Sequence, residues 1–162
     1  MEDYLMIDTP DILKGLADID RSSSDSTLVI HCPTEDQRLL LDRVLSYYIK
    51  ASAKEREEIY SAFRGCYGLL NMLIGYVYQA AEQIRLTGDQ EVLYAGLTAA
   101  SIENTLGKVD YRDRLLALAE LYVTAEEAGM NPGPAFESIC GLTGFSEYAV
   151  VKSRRHNGKP WS

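Results

Sequence analysis

The chain has 162 residues, of which 46% are hydrophobic and 25% charged, and its formal net charge at pH 7 is −8. This length fits a single domain, and the composition is typical of a globular protein rather than a disordered one. The negative charge argues against general nucleic-acid binding, which needs a basic surface to neutralise phosphates. Few stretches alternate between apolar and polar residues, so the sequence predicts an all-α fold.

The first 33 residues are predicted to hold one helix and an extended connector. Thr9, Pro10 and Asp11 form a helix start, because a hydroxyl can cap the helix, proline fits its first turn and an acid favours its N-terminus. After a polar linker, residues 27–32 (TLVIHC) are the one strand-like run. One short strand without a partner cannot make a stable sheet, so a connector is favoured, and whether the run is a strand stays open.

Two capping boxes predict the next two helix starts. In each, a hydroxyl residue is followed three positions later by Gln or Glu, so that the two side chains can bind each other's backbone N–H groups. The first box pairs Thr34 with Gln37, and the second pairs Ser52 with Glu55. The helix after the first box extends to about residue 51, and its periodicity predicts these buried residues: Leu41, Val44, Leu45 and Tyr48.

The second box opens the segment around which we expect the fold to be organised. Residues 53–86 are predicted to form one helix, straight or kinked, and buried because its second half is apolar on all sides. Gly65, Gly68 and Gly75 share one side at helical spacing, which would let a neighbouring helix approach closely. The apolar part is shorter than the roughly 20 residues that span a bilayer, so no membrane span is predicted.

Turn signals divide the rest of the chain into shorter helices. A helix from Gln90 to about Asn104 is rich in small residues and is the expected partner of the glycine side. Three more are predicted: one from Asp110 to about Gly129, a short one containing Phe136, and one from Ser146 to Val151. The sequence therefore predicts one bundle of six or seven helices over residues 1–152, with a flexible basic tail at 153–162. A short α-solenoid of helical hairpins is the alternative.

No catalytic motif is present, and neither a cofactor nor a metal site is predicted. The three cysteines are widely separated, and the two histidines, His31 and His156, restrict acid–base and metal chemistry. The odd number of cysteines and an acidic N-terminus favour a reducing, cytoplasmic location. Glu103 and Glu120 are the carboxylates on apolar faces, and both are expected to be exposed or to cap a helix.

The densest polar cluster is a candidate binding site formed by Glu103, Asp110, Tyr111, Arg112, Asp113 and Arg114. Its arginines and helix N-terminal amides could bind a carboxylate or phosphate. The structural interpretation, in which the acids cap a helix and the arginines pair with nearby acids, is favoured.

Eleven tyrosines are the other compositional feature. Tyrosine is common where one end of a side chain is buried and the other is wet, as at protein interfaces. Adjacent residues on a helix point about 100° apart, so they cannot all enter one core. The candidate interface residues are Tyr47, Tyr48, Tyr60 and Tyr67.

These features favour a non-enzymatic helical protein that docks a Tyr-edged apolar face on a partner protein or on a second copy of itself. One version is an acidic inhibitor or immunity-type protein that blocks a basic enzyme. The alternative is a small-molecule binder or enzyme with a pocket between helices, using Asn71, Glu103 or Arg112.

Overall fold

A computed structural model describes residues 32–64, 67–106 and 111–145 of the chain. Six α-helices lie in these ranges: α1 (Glu35–Lys50), α2 (Ala53–Arg64), α3 (Tyr67–Thr87), α4 (Gln90–Leu106), α5 (Tyr111–Glu127) and α6 (Gly133–Cys140). The predicted N-terminal helix, the strand-like run up to His31, the helix from Ser146 and the basic tail lie outside the described residues.

Helix α3 is the centre of the bundle. It packs most extensively against α4 and α5, and every residue from 72 to 78 is buried. A helix that is apolar on all sides needs such complete burial, so the predicted central helix is confirmed for α3. Helix α2 is different, because it buries Ile59 and Phe63 and leaves much of its remaining surface exposed. Gly65 and Cys66 lie outside the described residues, so the continuity of the two helices stays a prediction.

The helices pack against one another as a bundle. Helix α3 packs on α4 and α5, α1 packs on α4, and α4 also contacts α6. Successive hairpins of a solenoid make contacts of this kind too, so the α-solenoid alternative stays a prediction. Every element in the described part of the chain is a helix, which confirms the predicted all-α bundle. Among these helices, none is both long enough and apolar enough to cross a membrane.

Both predicted capping boxes are present. The backbone N–H of Gln37 donates to Thr34 Oγ1 over 3.2 Å, and the Thr34 N–H donates to Gln37 Oε1 over 2.7 Å. At the start of α2, the Glu55 N–H donates to Ser52 Oγ and the Ser52 N–H donates to Glu55 Oε1, over 3.2 and 2.8 Å. All four residues predicted to be buried on α1 are buried: Leu41, Val44, Leu45 and Tyr48.

Helices α3 and α4 approach each other closely at Gly96. A Cβ atom added there would lie 2.9 Å from Ala80 Cβ on α3 and 3.2 Å from Leu121 Cδ2 on α5. Only glycine therefore lets these three helices meet at this depth. The predicted packing of α4 on the central helix is confirmed. Gly75 is buried, while the environments of Gly65 and Gly68 lie outside the description, so the packing assigned to these three glycines stays a prediction.

Candidate functional site

An open groove of about 1010 Å³ runs along one side of α4. Leu93 and Tyr94 of α4 lie on its floor, Ile49 and Arg56 lie on the α1–α2 wall, and Ile139 lies on the α6 wall. We call it the α4 groove. Three separate parts of the chain meet there, which positions the groove at a junction of elements where ligand sites are common.

The lining of the α4 groove mixes polar and apolar residues and includes exposed apolar side chains. Ile49 is 46% exposed and Tyr94 is 37% exposed, and both line the groove. The other large hydrophobic side chains exposed in the described part of the chain are Leu39 and Leu86, and neither lines it. Exposed apolar side chains within a concave surface are a feature of many binding sites, so the groove is a candidate site.

The α1–α2 wall is held in place by Arg56. Its Nε atom donates to the carbonyl oxygen of Tyr48 over 2.9 Å, and an Nη atom donates to the carbonyl oxygen of Ile49 over 3.1 Å. These acceptors lie in the last turn of α1, where carbonyls have no partner inside the helix. The guanidinium also lies 4.5 Å from the centre of the Tyr48 ring, a cation–π contact. Arg56 therefore joins α2 to the end of α1 at this wall.

Tyrosine hydroxyls join the two helices of this wall. Tyr48 and Tyr60 share a hydrogen bond between their hydroxyl groups, with the rings edge to face. Burial, and then the hydrogen bond to Tyr60, raise the pKa of Tyr48 to about 12, so this phenol stays neutral at pH 7. The Tyr47 hydroxyl donates to Glu55 over 2.8 Å. The Ser52 N–H and the Tyr47 hydroxyl both stabilise the Glu55 carboxylate and lower its pKa.

Of the four tyrosines predicted at an interface, Tyr48 lines the α4 groove. Tyr47 and Tyr60 bind neighbouring helix residues as described above, and the side chain of Tyr67 lies outside the described residues. Their role at an interface stays a prediction. Sequence reasoning missed Tyr94, the exposed tyrosine of the groove, because the surrounding run of α4 is apolar on both sides and does not show which face is left open.

Two residues of the predicted polar cluster, Glu103 and Arg114, form a buried ion pair. Glu103 is fully buried and Arg114 is 5% exposed, and Arg114 Nε lies 2.6 Å from Glu103 Oε1. The expectation that Glu103 would be exposed or capping is therefore wrong, because an arginine from the next helix compensates its charge. Arg112 is exposed and Asp113 is half-buried. Asp110 and the side chain of Tyr111 lie outside the described residues.

The second carboxylate singled out from the sequence, Glu120, is half-buried on α5. Its Oε2 atom lies 3.7 Å from a guanidinium nitrogen of Arg85 near the end of α3. Glu120 therefore takes part in an interhelical ion pair at the edge of the bundle. The pair is partly solvated, so it contributes little to stability.

A smaller cavity of about 150 Å³ lies beside the ion pair, and we call it the Arg114 cavity. Its lining combines Ser101 and Asn104 of α4 and Arg114 of α5 with apolar side chains and Cys140. Cys140 Sγ donates weakly to the Leu97 carbonyl oxygen over 3.5 Å. Burial raises the pKa of the Cys140 thiol to about 12, so it is a poor nucleophile at neutral pH.

Within the described ranges, no group of three or more His, Cys, Asp or Glu side chains is arranged to hold a metal ion. His31 and His156 both lie outside these ranges. The charge of the buried Glu103 is neutralised by Arg114, and the Cys140 thiol stays protonated at neutral pH.

Comparison of the chain with known protein families, with curated proteins and with solved structures finds no match. No relative therefore supplies an activity or a set of site residues. The α4 groove and the Arg114 cavity are the two features of the described residues from which a function is inferred.

Proposed function

We propose that the protein is a non-catalytic interaction protein that binds an apolar, basic helical segment of a partner protein in the α4 groove. The observation that carries this proposal is the exposure of Ile49 and Tyr94 inside one concave groove. Partner residues that cover these two side chains would remove apolar surface from water, which is the main favourable term in protein association.

The shape of the groove favours a helix as the bound segment. The groove follows α4 from Gln90 to Ser101, which corresponds to about 17 Å at 1.5 Å per residue. A partner helix of about three turns matches this length, and its apolar face would be formed by residues three and four positions apart.

Charge favours a basic partner over a second copy of the chain. Residues 32–64 contain six acids and six bases, whereas residues 67–106 and 111–145 together contain nine acids and three bases. The exposed acids Asp89, Glu91 and Glu137 lie beside groove-lining residues in the sequence and are not part of the lining, whose charged residue is Arg56. The preference for a basic partner therefore rests on the net charge of the chain. Two copies, each with a net charge of −8, would repel one another, whereas lysines or arginines flanking the bound helix would be attracted.

A displayed library of helical peptides, selected on the wild-type protein, tests the proposal and requires no assumption about which protein the partner is. The test variants are Ile49→Glu and Tyr94→Glu. Leu39→Glu is the matched control, because Leu39 lies on the same helix as Ile49, is exposed to a similar extent (48% against 46%), and does not line the groove. All three variants add one negative charge, so a difference between them reports on position.

We expect the selected peptides to carry apolar residues at helical spacing together with Lys or Arg, and their binding to weaken as salt rises. Each groove variant should lower the affinity by about tenfold or more, as expected for a central contact residue, and Leu39→Glu by less than about twofold. Equal losses in test and control variants, or selection of peptides without basic residues, would contradict the proposal. A dimer in sedimentation experiments that is lost in Ile49→Glu but kept in Leu39→Glu would assign the groove to a second copy instead.

A further inference from the structure

The Arg114 cavity continues the α4 groove along the same helix. Ser101 lines both, and the cavity extends beyond it to Asn104, whereas the groove extends back to Gln90. On the facing side, α6 residues up to Ile139 line the groove, and Cys140 and Leu142 line the cavity. The end of a bound helix that lies near Ser101 would therefore lie at the opening of the cavity.

The chemistry of the cavity favours a neutral side chain. Arg114 is paired with Glu103 at 2.6 Å, so the pair carries no net charge and gives little attraction to a carboxylate or an ammonium group. Ser101 and Asn104 add a hydroxyl and an amide, each able to donate and accept hydrogen bonds. Ser101 is half-buried and Asn104 is exposed, so a purely apolar group would cover the Ser101 hydroxyl without replacing its hydrogen bond to water, which costs free energy.

The size of the cavity favours an aromatic ring. Its volume of about 150 Å³ is the same as that of an engineered apolar cavity that holds benzene. The apolar part of the lining, from Ala100, Leu115, Leu118 and Leu142, provides surface on which a ring can pack. A phenol combines such a ring with one hydroxyl group for the polar side of the cavity.

We infer that the Arg114 cavity is the anchor pocket of the groove and that it receives a tyrosine side chain of the bound partner. This inference rests on the proposed function of the α4 groove. Interfaces concentrate their binding energy in a few aromatic or arginine anchors that fill pockets. Because the pocket lies at the Ser101 end of the groove, the anchor fixes the position of the bound helix along the groove.

The pocket is tested first without any partner, using p-cresol as the tyrosine side chain and toluene as the phenylalanine side chain. Ligand-observed NMR on the full chain measures both affinities. The blocking variant is Ser101→Leu, which places a larger side chain in the cavity, and Ser61→Leu on the exposed face of α2 is its control. Asn104→Ala removes a polar group of the exposed surface without adding volume, so it tests the polar side even if Ser101→Leu fails to fold.

We expect p-cresol to bind about fivefold or more tightly than toluene, the value of one net hydrogen bond. Ser101→Leu should abolish this binding and Ser61→Leu should leave it unchanged. Asn104→Ala should reduce the preference for p-cresol over toluene. Equal binding of the two compounds, no binding of either, or binding that survives in Ser101→Leu would overturn the inference.

The peptides selected on the groove provide the second test. We expect them to share one tyrosine, whose replacement by phenylalanine weakens binding to the wild type but not to Ser101→Leu. If Ile49→Glu abolishes peptide binding while Ser101→Leu has no effect, the groove proposal stands and the anchor pocket is refuted. If Ile49→Glu and Leu39→Glu lower peptide affinity equally, the groove proposal is refuted, whether or not p-cresol binds the cavity.

Discussion

The α1–α2 wall of the α4 groove and the packing beneath its floor are held together by different kinds of interaction. Helices α1 and α2 are joined by side-chain hydrogen bonds, such as those from Arg56 to two α1 carbonyls and from Tyr47 to Glu55. Helices α3, α4 and α5 instead meet through small residues, with Gly96 against Ala80. Hydrogen bonds at a surface can be exchanged for bonds to water, whereas closely packed backbones have no such substitute. The α1–α2 wall is therefore the adaptable side of the groove, and the floor is the rigid one.

The largest effect expected on the rigid side comes from breaking the buried ion pair. Arg114→Met removes the cation that lies 2.6 Å from the buried Glu103 carboxylate, so we expect a loss of about 3–5 kcal/mol in the free energy of unfolding. Chemical denaturation measures this value. The double variant Glu103→Leu, Arg114→Met should recover most of the loss, because both charges are then removed together. An Arg114→Met protein with the same denaturation midpoint as the wild type would show that the ion pair does not stabilise the fold.

A smaller effect on the free energy of unfolding is expected at Gly96, where α3 and α4 are closely packed. Gly96→Ala places a methyl group 2.9 Å from Ala80 Cβ, and this overpacking should exceed the gain of about 1 kcal/mol from replacing glycine in a helix. We expect a net loss of about 1 kcal/mol in thermal or chemical unfolding.

Gly133→Ala is the control for that substitution, because its added Cβ would meet its nearest atom, Tyr122 Oη, at an ordinary 3.6 Å. It should leave stability unchanged or raise it. A Gly96→Ala protein as stable as Gly133→Ala would mean that the floor of the groove is not rigid at this point.

An effect of similar size is expected on the adaptable side, at Tyr48, where it also depends on pH. An unfolded tyrosine loses its proton near pH 10, whereas burial and Tyr60 raise the pKa of folded Tyr48 to about 12. The protonated phenol therefore adds stability below pH 10, and this stability is lost as the pH rises from 10 to 12. Tyr48→Phe should cost about 1 kcal/mol at pH 7 through the lost hydrogen bond, and it should unfold with a weaker pH dependence above pH 10. An unchanged pH dependence in this variant would rule out Tyr48 as a contributor.

Local features of the fold were predictable from the sequence. The capping boxes at Thr34 and Ser52 involve residues three positions apart, and the buried face of α1 follows from its periodicity, so both are determined within one helix. The central position of α3 also follows, because a helix that is apolar on all sides must be surrounded.

Features that depend on two or more helices were not predictable. Glu103 looked like a helix-end carboxylate, and its burial depends on Arg114, eleven residues later on another helix. The α4 groove combines parts of α1, α2, α4 and α6, and no sequence pattern shows that Ile49 and Tyr94 face the same space. Three-dimensional packing decides such features, and a single sequence does not record it.

Two glycine turns lie at the edge of the α4 groove and give it a property that the helices lack. Gly88, between α3 and α4, and Gly129, between α5 and α6, both line the groove and have positive φ angles of 65° and 87°. Surface turns tolerate insertions far better than packed helices do. Lengthening either turn would reshape the mouth of the groove without moving the bundle. Evolution, or a protein engineer, can thus change what enters this groove while the scaffold stays the same.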